Sequence, residues 1–195
     1  MNRLIALSIF AVLAASVQAQ DGPRQAIEQR LDTYFEATKA KDWEQAVNLL
    51  YPKLFNLVPK EDMIQMFRDM EGNGIAFEMK TFELSQISDT IIYEGEAFAL
   101  VNYTAMMSIS FTSEAYKEAS FAESIRQNYA SSYGAENVVY HAENNSFDIR
   151  MEKALFAIAP LGSDAWAFME SEPGQKSLLS SMIPEAVQEK FLGKE

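Results

Sequence analysis

Residues 97–111 read AFALVNYTAMMSISF, and the spacing of apolar side chains in this run decides the fold class. Val101, Tyr103, Ala105, Met107, Ile109 and Phe111 occupy alternate positions, and Asn102, Thr104, Ser108 and Ser110 fall between them, with Met106 as an exception. A period of two places each set on its own side of an extended chain, so the segment reads as a long strand. One face is core and the other is water, which is the behaviour of an antiparallel sheet rather than of a parallel sheet covered on both sides. The strand is entered through a hairpin, residues 90–93 followed by the turn Glu94-Gly95-Glu96.

Upstream, Ile75, Phe77 and Met79 alternate with Ala76, Glu78 and Lys80, and the phase then slips near Thr81, since Phe82 and Leu84 are the next apolar pair. One extra residue in a strand is a bulge, which bends a sheet. Before that strand the period is helical. Residues 23–39 carry Ile27, Leu31, Tyr34, Phe35 and Thr38 on one face. Asp42 with Gln45 three residues on reads as the capping box of a second helix, which Tyr51-Pro52 ends. Pro59, followed by Glu61 and Asp62, opens a third, with Met63, Met66, Phe67 and Met70 as its expected buried stripe.

Downstream, residues 113–133 read as a helix with Ser113 as its cap, Phe121, Ile125 and Tyr129 on one face and Gly134 as its stop. Residues 138–141 and 146–159 form a second hairpin about Glu143-Asn144-Asn145. Its long strand slips phase between Met151 and Ala154. A last strand, 165–170, turns Trp166 and Phe168 to one side, and short helices over 175–182 and 184–192 close the chain. No repeat, low-complexity run or long Gly/Ser/Pro linker divides it. The fold class is α+β, a single domain of N-terminal helices on a bent antiparallel sheet, with an extra helix between strands.

The first nineteen residues differ in kind. Arg3 is followed by an apolar run over 4–15 and by Val17-Gln18-Ala19, the pattern of a cleaved secretory signal peptide. The run is too short for a stable bilayer span. The expected mature chain is residues 20–195, periplasmic or secreted, with no membrane span after cleavage. There is no cysteine, which excludes disulfides, thiol nucleophiles, thiolate metal sites and a lipidated N-terminus. The 28 acidic residues outnumber the 16 basic ones, and the net charge of −12 becomes −13 once Arg3 leaves with the signal. Such a surface repels nucleic acid and anionic lipid, so no nucleic-acid partner is expected.

Three stretches carry a family resemblance: Tyr34-Phe35-Glu36-Ala37 followed by Lys41-Asp42-Trp43-Glu44; Tyr51-Pro52-Lys53-Leu54-Phe55; and the long strand 97–111 with a terminal Ala165-Trp166-Ala167-Phe168 strand. Helix, short polar gap, Asp-Trp, second helix, then a bent sheet resembles the NTF2-like superfamily, which includes SnoaL-like proteins and ketosteroid isomerase. The resemblance covers about residues 26–170. It implies a cone whose sheet curls around a pocket with the first helix across its concave face. Members bind small apolar molecules, catalyse isomerisation or hydrolysis, or dimerise. The helix 113–133 and the C-terminal helices depart from the simplest members, and no family catalytic residue aligns here.

Tyr34 and Tyr103 both face inward in this reading and, with Met107 on the same strand face, are the expected ligand contacts; a buried tyrosine needs a partner for its hydroxyl, from a ligand or from a carboxylate. His141, the single histidine, reads as an exposed turn residue, and Asp148 with Arg150 as a solvated face. No HExxH, Asp-x-Asp-x-Asp-Gly, GxSxG, Ser-His-Asp or glycine-rich phosphate pattern is present, and neither metal nor cofactor is expected. The leading expectation is an exported, non-enzymatic binding or interaction module for a small apolar ligand or an envelope protein. The alternatives are a SnoaL-like isomerase or hydrolase using Tyr34, Tyr103 or Asp148, and a homodimerising or assembly module without a ligand.

Overall fold

The computed structural model describes residues 15–193. Most of the expected signal peptide, residues 1–14, lies outside the described residues. The first helix, α1, spans Ala15–Ala40, starting earlier than the expected 23–39 and holding Pro23 inside it. Two shorter helices follow, α2 (Trp43–Asn48) and α3 (Lys60–Asp69). The Asp42 carboxylate accepts the Gln45 backbone N–H at 3.0 Å, which caps α2 as the sequence implies.

Six strands then build one open antiparallel sheet: β1 (Ile75–Ile87), β2 (Ile91–Tyr93), β3 (Glu96–Phe111), β4 (Val138–His141), β5 (Ser146–Pro160) and β6 (Ala167–Glu170). The two long strands, β3 and β5, pair at the centre. β1 and β2 share the outer edge of β3, and β4 and β6 share the outer edge of β5. The β1–β3 register shifts between Met79 and Thr81, where the sequence places a bulge, and again between Leu84 and Gln86. Between β3 and β4 the chain makes a short 3₁₀ turn, Glu114–Tyr116, and then α4 (Ala119–Tyr133). The expected single helix over 113–133 is therefore two pieces. Ser113 caps the turn by accepting the Ala115 N–H, and Gly134 at φ 89° ends α4. The chain closes with α5 (Lys176–Met182) and α6 (Glu185–Leu192).

Two faces of the sheet are covered unequally. On the inner face, Ile27, Leu31 and Phe35 of α1 pack on Val101, Tyr103, Ala105, Ile149, Leu155 and Phe168, and Phe121, Ile125 and Tyr129 of α4 join them. On the outer face only the half near β2 and β6 is sealed, by Leu179, Met182, Ile183 and Val187 over Phe98, Leu100, Phe156, Ile158 and Met169. This half-covering corrects one expectation. The β3–β5 register runs unbroken from Glu96↔Pro160 to Ser110↔Ser146, so β5 has no phase slip. Phe156 and Ile158 are apolar because the C-terminal helices bury the outer face there, while Leu155 and Ala157 continue the inner face.

A second correction concerns α3. Met63 and Ile64 are buried and Phe67 stacks on Trp43 at 5.2 Å, whereas Met66 and Met70 are 54% and 51% exposed. The inward arc of this helix runs through positions 63, 64 and 67; Met66 lies on its exposed flank, and Met70 follows the last helical residue as the C-cap.

Candidate functional site

Strand β6 leaves the Trp166 corner with its inner positions at Phe168 and Glu170, so an apolar alternation ends on a carboxylate pointed into the core. Glu170 Oε1 accepts the Tyr103 hydroxyl at 2.6 Å. Oε2 is buried with no hydrogen-bond partner among the described residues, and the Lys153 ammonium stands 3.7 Å from it. Lys153 also pairs with Glu172. Tyr34 looks onto the same cluster from α1, its ring 5.5 Å from that of Phe168; Phe35 links it to Tyr103 at 5.0 Å and stacks on Phe82 at 4.2 Å. The two tyrosines singled out by the sequence thus share one core, and the partner of Tyr103 is a carboxylate. Met107 lies further along the same face, half-buried between Met79 and Ile149.

Burial sets the electrostatics. It pushes both tyrosine hydroxyls far above their ordinary range, and the Glu170 charge adds to the effect. Burial also lifts the Glu170 carboxyl, against the pull of Lys153 and the Tyr103 hydrogen bond. On Lys153 burial acts downward, but the neighbouring Glu170 and Glu172 charges outweigh it and the ammonium is held. At neutral pH Tyr34 and Tyr103 are hydrogen-bond donors and not bases.

His141 is not an isolated turn residue. The 141–146 hairpin closes so that its Nε2 comes within 3.1 Å of Asp148 Oδ2, and Lys80 from β1 bonds the other oxygen at 2.9 Å. Burial alone would raise Asp148, but Lys80, Ser108 and His141 together bring its carboxyl below the usual range. Among the described residues, no group of three or more His, Cys, Asp or Glu is arranged to hold a metal ion. No described helix is long and apolar enough to cross a membrane.

Two clefts adjoin these features. One, of about 520 Å³, lies over Asn102, Thr104, Arg150, Glu152, Lys153 and Glu172. Its charges are spent on one another, Arg150 on Glu152 at 3.5 Å and Lys153 on Glu172. The other, of about 570 Å³, opens beside Pro23 and Arg24 of α1, between Ile87 at the end of β1, the β1–β2 connection (Ser88, Asp89, Thr90), Ile92, Ala97 and the β5–β6 turn. Trp166 lines it. Trp166 is 2% exposed, its backbone carbonyl accepts the Arg30 Nε–H at 2.5 Å, and its buried indole Nε1–H has no partner among the described residues. At the rim, Ile92 and Leu161 are 63% and 56% exposed.

The sequence matches no protein-family model, and a search of curated proteins finds no match.

Proposed function

We propose that this chain is an exported binding module of NTF2-like architecture that holds a small, largely apolar molecule in the Trp166 cleft. The order of elements supports the architecture: three helices, a bulged antiparallel sheet and α1 against its inner face. The cleft carries the functional reading. Ile87, Ile92, Ala97, Leu161 and Trp166 supply apolar contact, and among the described residues the buried indole N–H lacks the acceptor that buried donors ordinarily have. Concave sites that set apolar walls beside fixed polar groups, here Ser88, Thr90 and Ser163 among others, are where small molecules bind. Binding without turnover is favoured because the buried acid and hydroxyl, Glu170 and Tyr103, are engaged with each other.

Native mass spectrometry of residues 20–195, purified from the periplasm of a producing host, tests this. A mass above the polypeptide that disappears on denaturation is expected and would reveal the ligand. A bare polypeptide mass, with no change in the mass on incubation with an extract of the same envelope, would overturn the reading.

One observation favours a second reading, an isomerase or hydrolase of SnoaL-like type. Tyr103 and Lys153 wall the polar 520 Å³ cleft, and a raised carboxyl, Glu170, stands beside both. Turnover abolished by Glu170→Gln without loss of fold would establish that reading in place of the first.

A further inference from the structure

The chain enters β1 through a two-residue turn. Gly72 and Ile75 exchange both backbone hydrogen bonds, at 3.0 and 2.8 Å, with Asn73 and Gly74 between them. Both of these carry positive φ, 51° and 82°, the type I′ pattern for which Asn-Gly is a preferred pair. Of the asparagines in the sequence, Asn73 alone precedes a glycine. With no Cβ, Gly74 leaves its own nitrogen open to approach. Asn73 is exposed, and among the described residues neither its side-chain amide nor the Gly74 backbone N–H has a hydrogen-bond partner. Other turn asparagines are engaged. Asn145 donates to the Phe111 and Tyr116 carbonyls and accepts the Tyr140 hydroxyl, Asn137 donates to the Tyr133 carbonyl, and Asn144 accepts the Ser146 hydroxyl.

We propose that Asn73 is a site of spontaneous deamidation, a covalent modification that ages the entry of β1. The Gly74 backbone nitrogen attacks Asn73 Cγ. The N–Cγ bond forms, the Cγ–Nδ2 bond breaks, and ammonia leaves with the Gly74 amide proton, closing a succinimide. Water then opens the ring. Addition at Cγ gives aspartate; addition at the main-chain carbonyl gives isoaspartate, whose backbone runs through Cβ and Cγ. Either product carries a new negative charge at neutral pH. Isoaspartate also adds a carbon to the turn, which the Gly72–Ile75 pair and the 2.7 Å bond from the Thr112 N–H to the Gly74 carbonyl cannot span unchanged. Attack requires rotation of the Asn73–Gly74 peptide. Those same hydrogen bonds resist it, and a turn at the margin of a sheet opens at little cost.

Tryptic mapping of residues 20–195, held folded at mildly alkaline pH beside a copy unfolded in urea, reads the reaction. The peptide between Arg68 and Lys80 is expected to gain about 1 Da before any other asparagine-containing peptide, at a rate within about tenfold of the unfolded copy. A slower rate, or earlier conversion at another asparagine, would overturn the site. The converted peptide is expected to accept methyl groups from an isoaspartyl methyltransferase; a mass gain without methylation would overturn the lengthened turn. Asn73→Gly keeps a type I′ pair and removes the reacting amide. Its melting temperature is expected to hold through the same incubation while that of the parent falls. An equal fall in both would overturn the link between this turn and the ageing of the fold.

Discussion

Tyr103 and Glu170, 67 residues apart in the chain, meet at 2.6 Å on the inner face of the sheet and tie the middle of β3 to the end of β6. The hydrogen bond is buried, so its loss leaves a carboxyl with both oxygens unsatisfied by hydrogen bonding. Tyr103→Phe is expected to cost about 1–3 kcal/mol in urea denaturation. An unchanged midpoint would mean that water replaces the hydroxyl.

Glu170 makes the opposite contribution at neutral pH. Its folded-state carboxyl titrates above the ordinary value of 4.5, chiefly through burial. Folding therefore favours the protonated form. The stability from this group is full below the unfolded value and is lost as pH rises through the folded one. Glu170→Gln is expected to be at least as stable as the parent at about pH 7, with the difference shrinking toward about pH 4. Thermal melts across that range read it; a variant less stable at both ends would show that the ionised carboxylate is favourably held by Lys153.

The C-terminal helices are expected to stand or fall with Phe156. This side chain is fully buried on the outer face, its ring 6.0 Å from that of Phe191 on α6. Phe156→Ala removes a core aromatic and is expected to cost about 3–5 kcal/mol. Amide exchange in α5 and α6 is expected to accelerate more than in α1, which packs on the other face.

Gly74 is expected to tolerate no side chain. It has φ +82°, and a Cβ there would lie 2.5 Å from Ser113 Cβ and 2.6 Å from the Ser113 backbone nitrogen. Its carbonyl also accepts the Thr112 N–H at 2.7 Å, which joins the start of β1 to the end of β3. Gly74→Ala combines left-handed strain with a backbone clash, at about 2 kcal/mol or more. A melt unchanged from that of the parent would show that the β1–β3 corner shifts to make room.

Much of this architecture was legible from local pattern. The alternation over 97–111, the bulge at Thr81 and the Asp42 cap each depend on residues close in sequence, and each stands where the spacing puts it. The helical stripe of α3 was misassigned because periodicity alone does not say which arc turns inward. The apparent slip in β5 had a different origin. Lys153 interrupts the inner-face alternation because it meets Glu170 and Glu172, and Phe156 and Ile158 are apolar because two helices cover them. Both facts belong to partners further along the chain.

The site follows the same rule. Tyr34 and Tyr103 showed themselves by their faces, but Glu170 did not, although Trp166, Phe168 and Glu170 sit at i, i+2 and i+4 on one strand. The His141–Asp148 contact was readable from the length of the 141–146 turn, which sets both residues on one edge of a hairpin. The Trp166 cleft joins α1 to two turns and three strands, and no short stretch of sequence announces it.

The edge strand β1 has a consequence for life at high protein concentration. Gly72 and the Glu71 carboxylate occupy the outer edge of this thirteen-residue strand at Ile75 and Phe77, and a straight edge beyond them would template the addition of another chain. The two register shifts cut this edge into short runs, 75–79, 81–84 and 86–87, each with its own twist and direction. A straight incoming strand meets only a few aligned donors and acceptors before the ladder turns away. The irregularities that bend the sheet also protect it from aggregation.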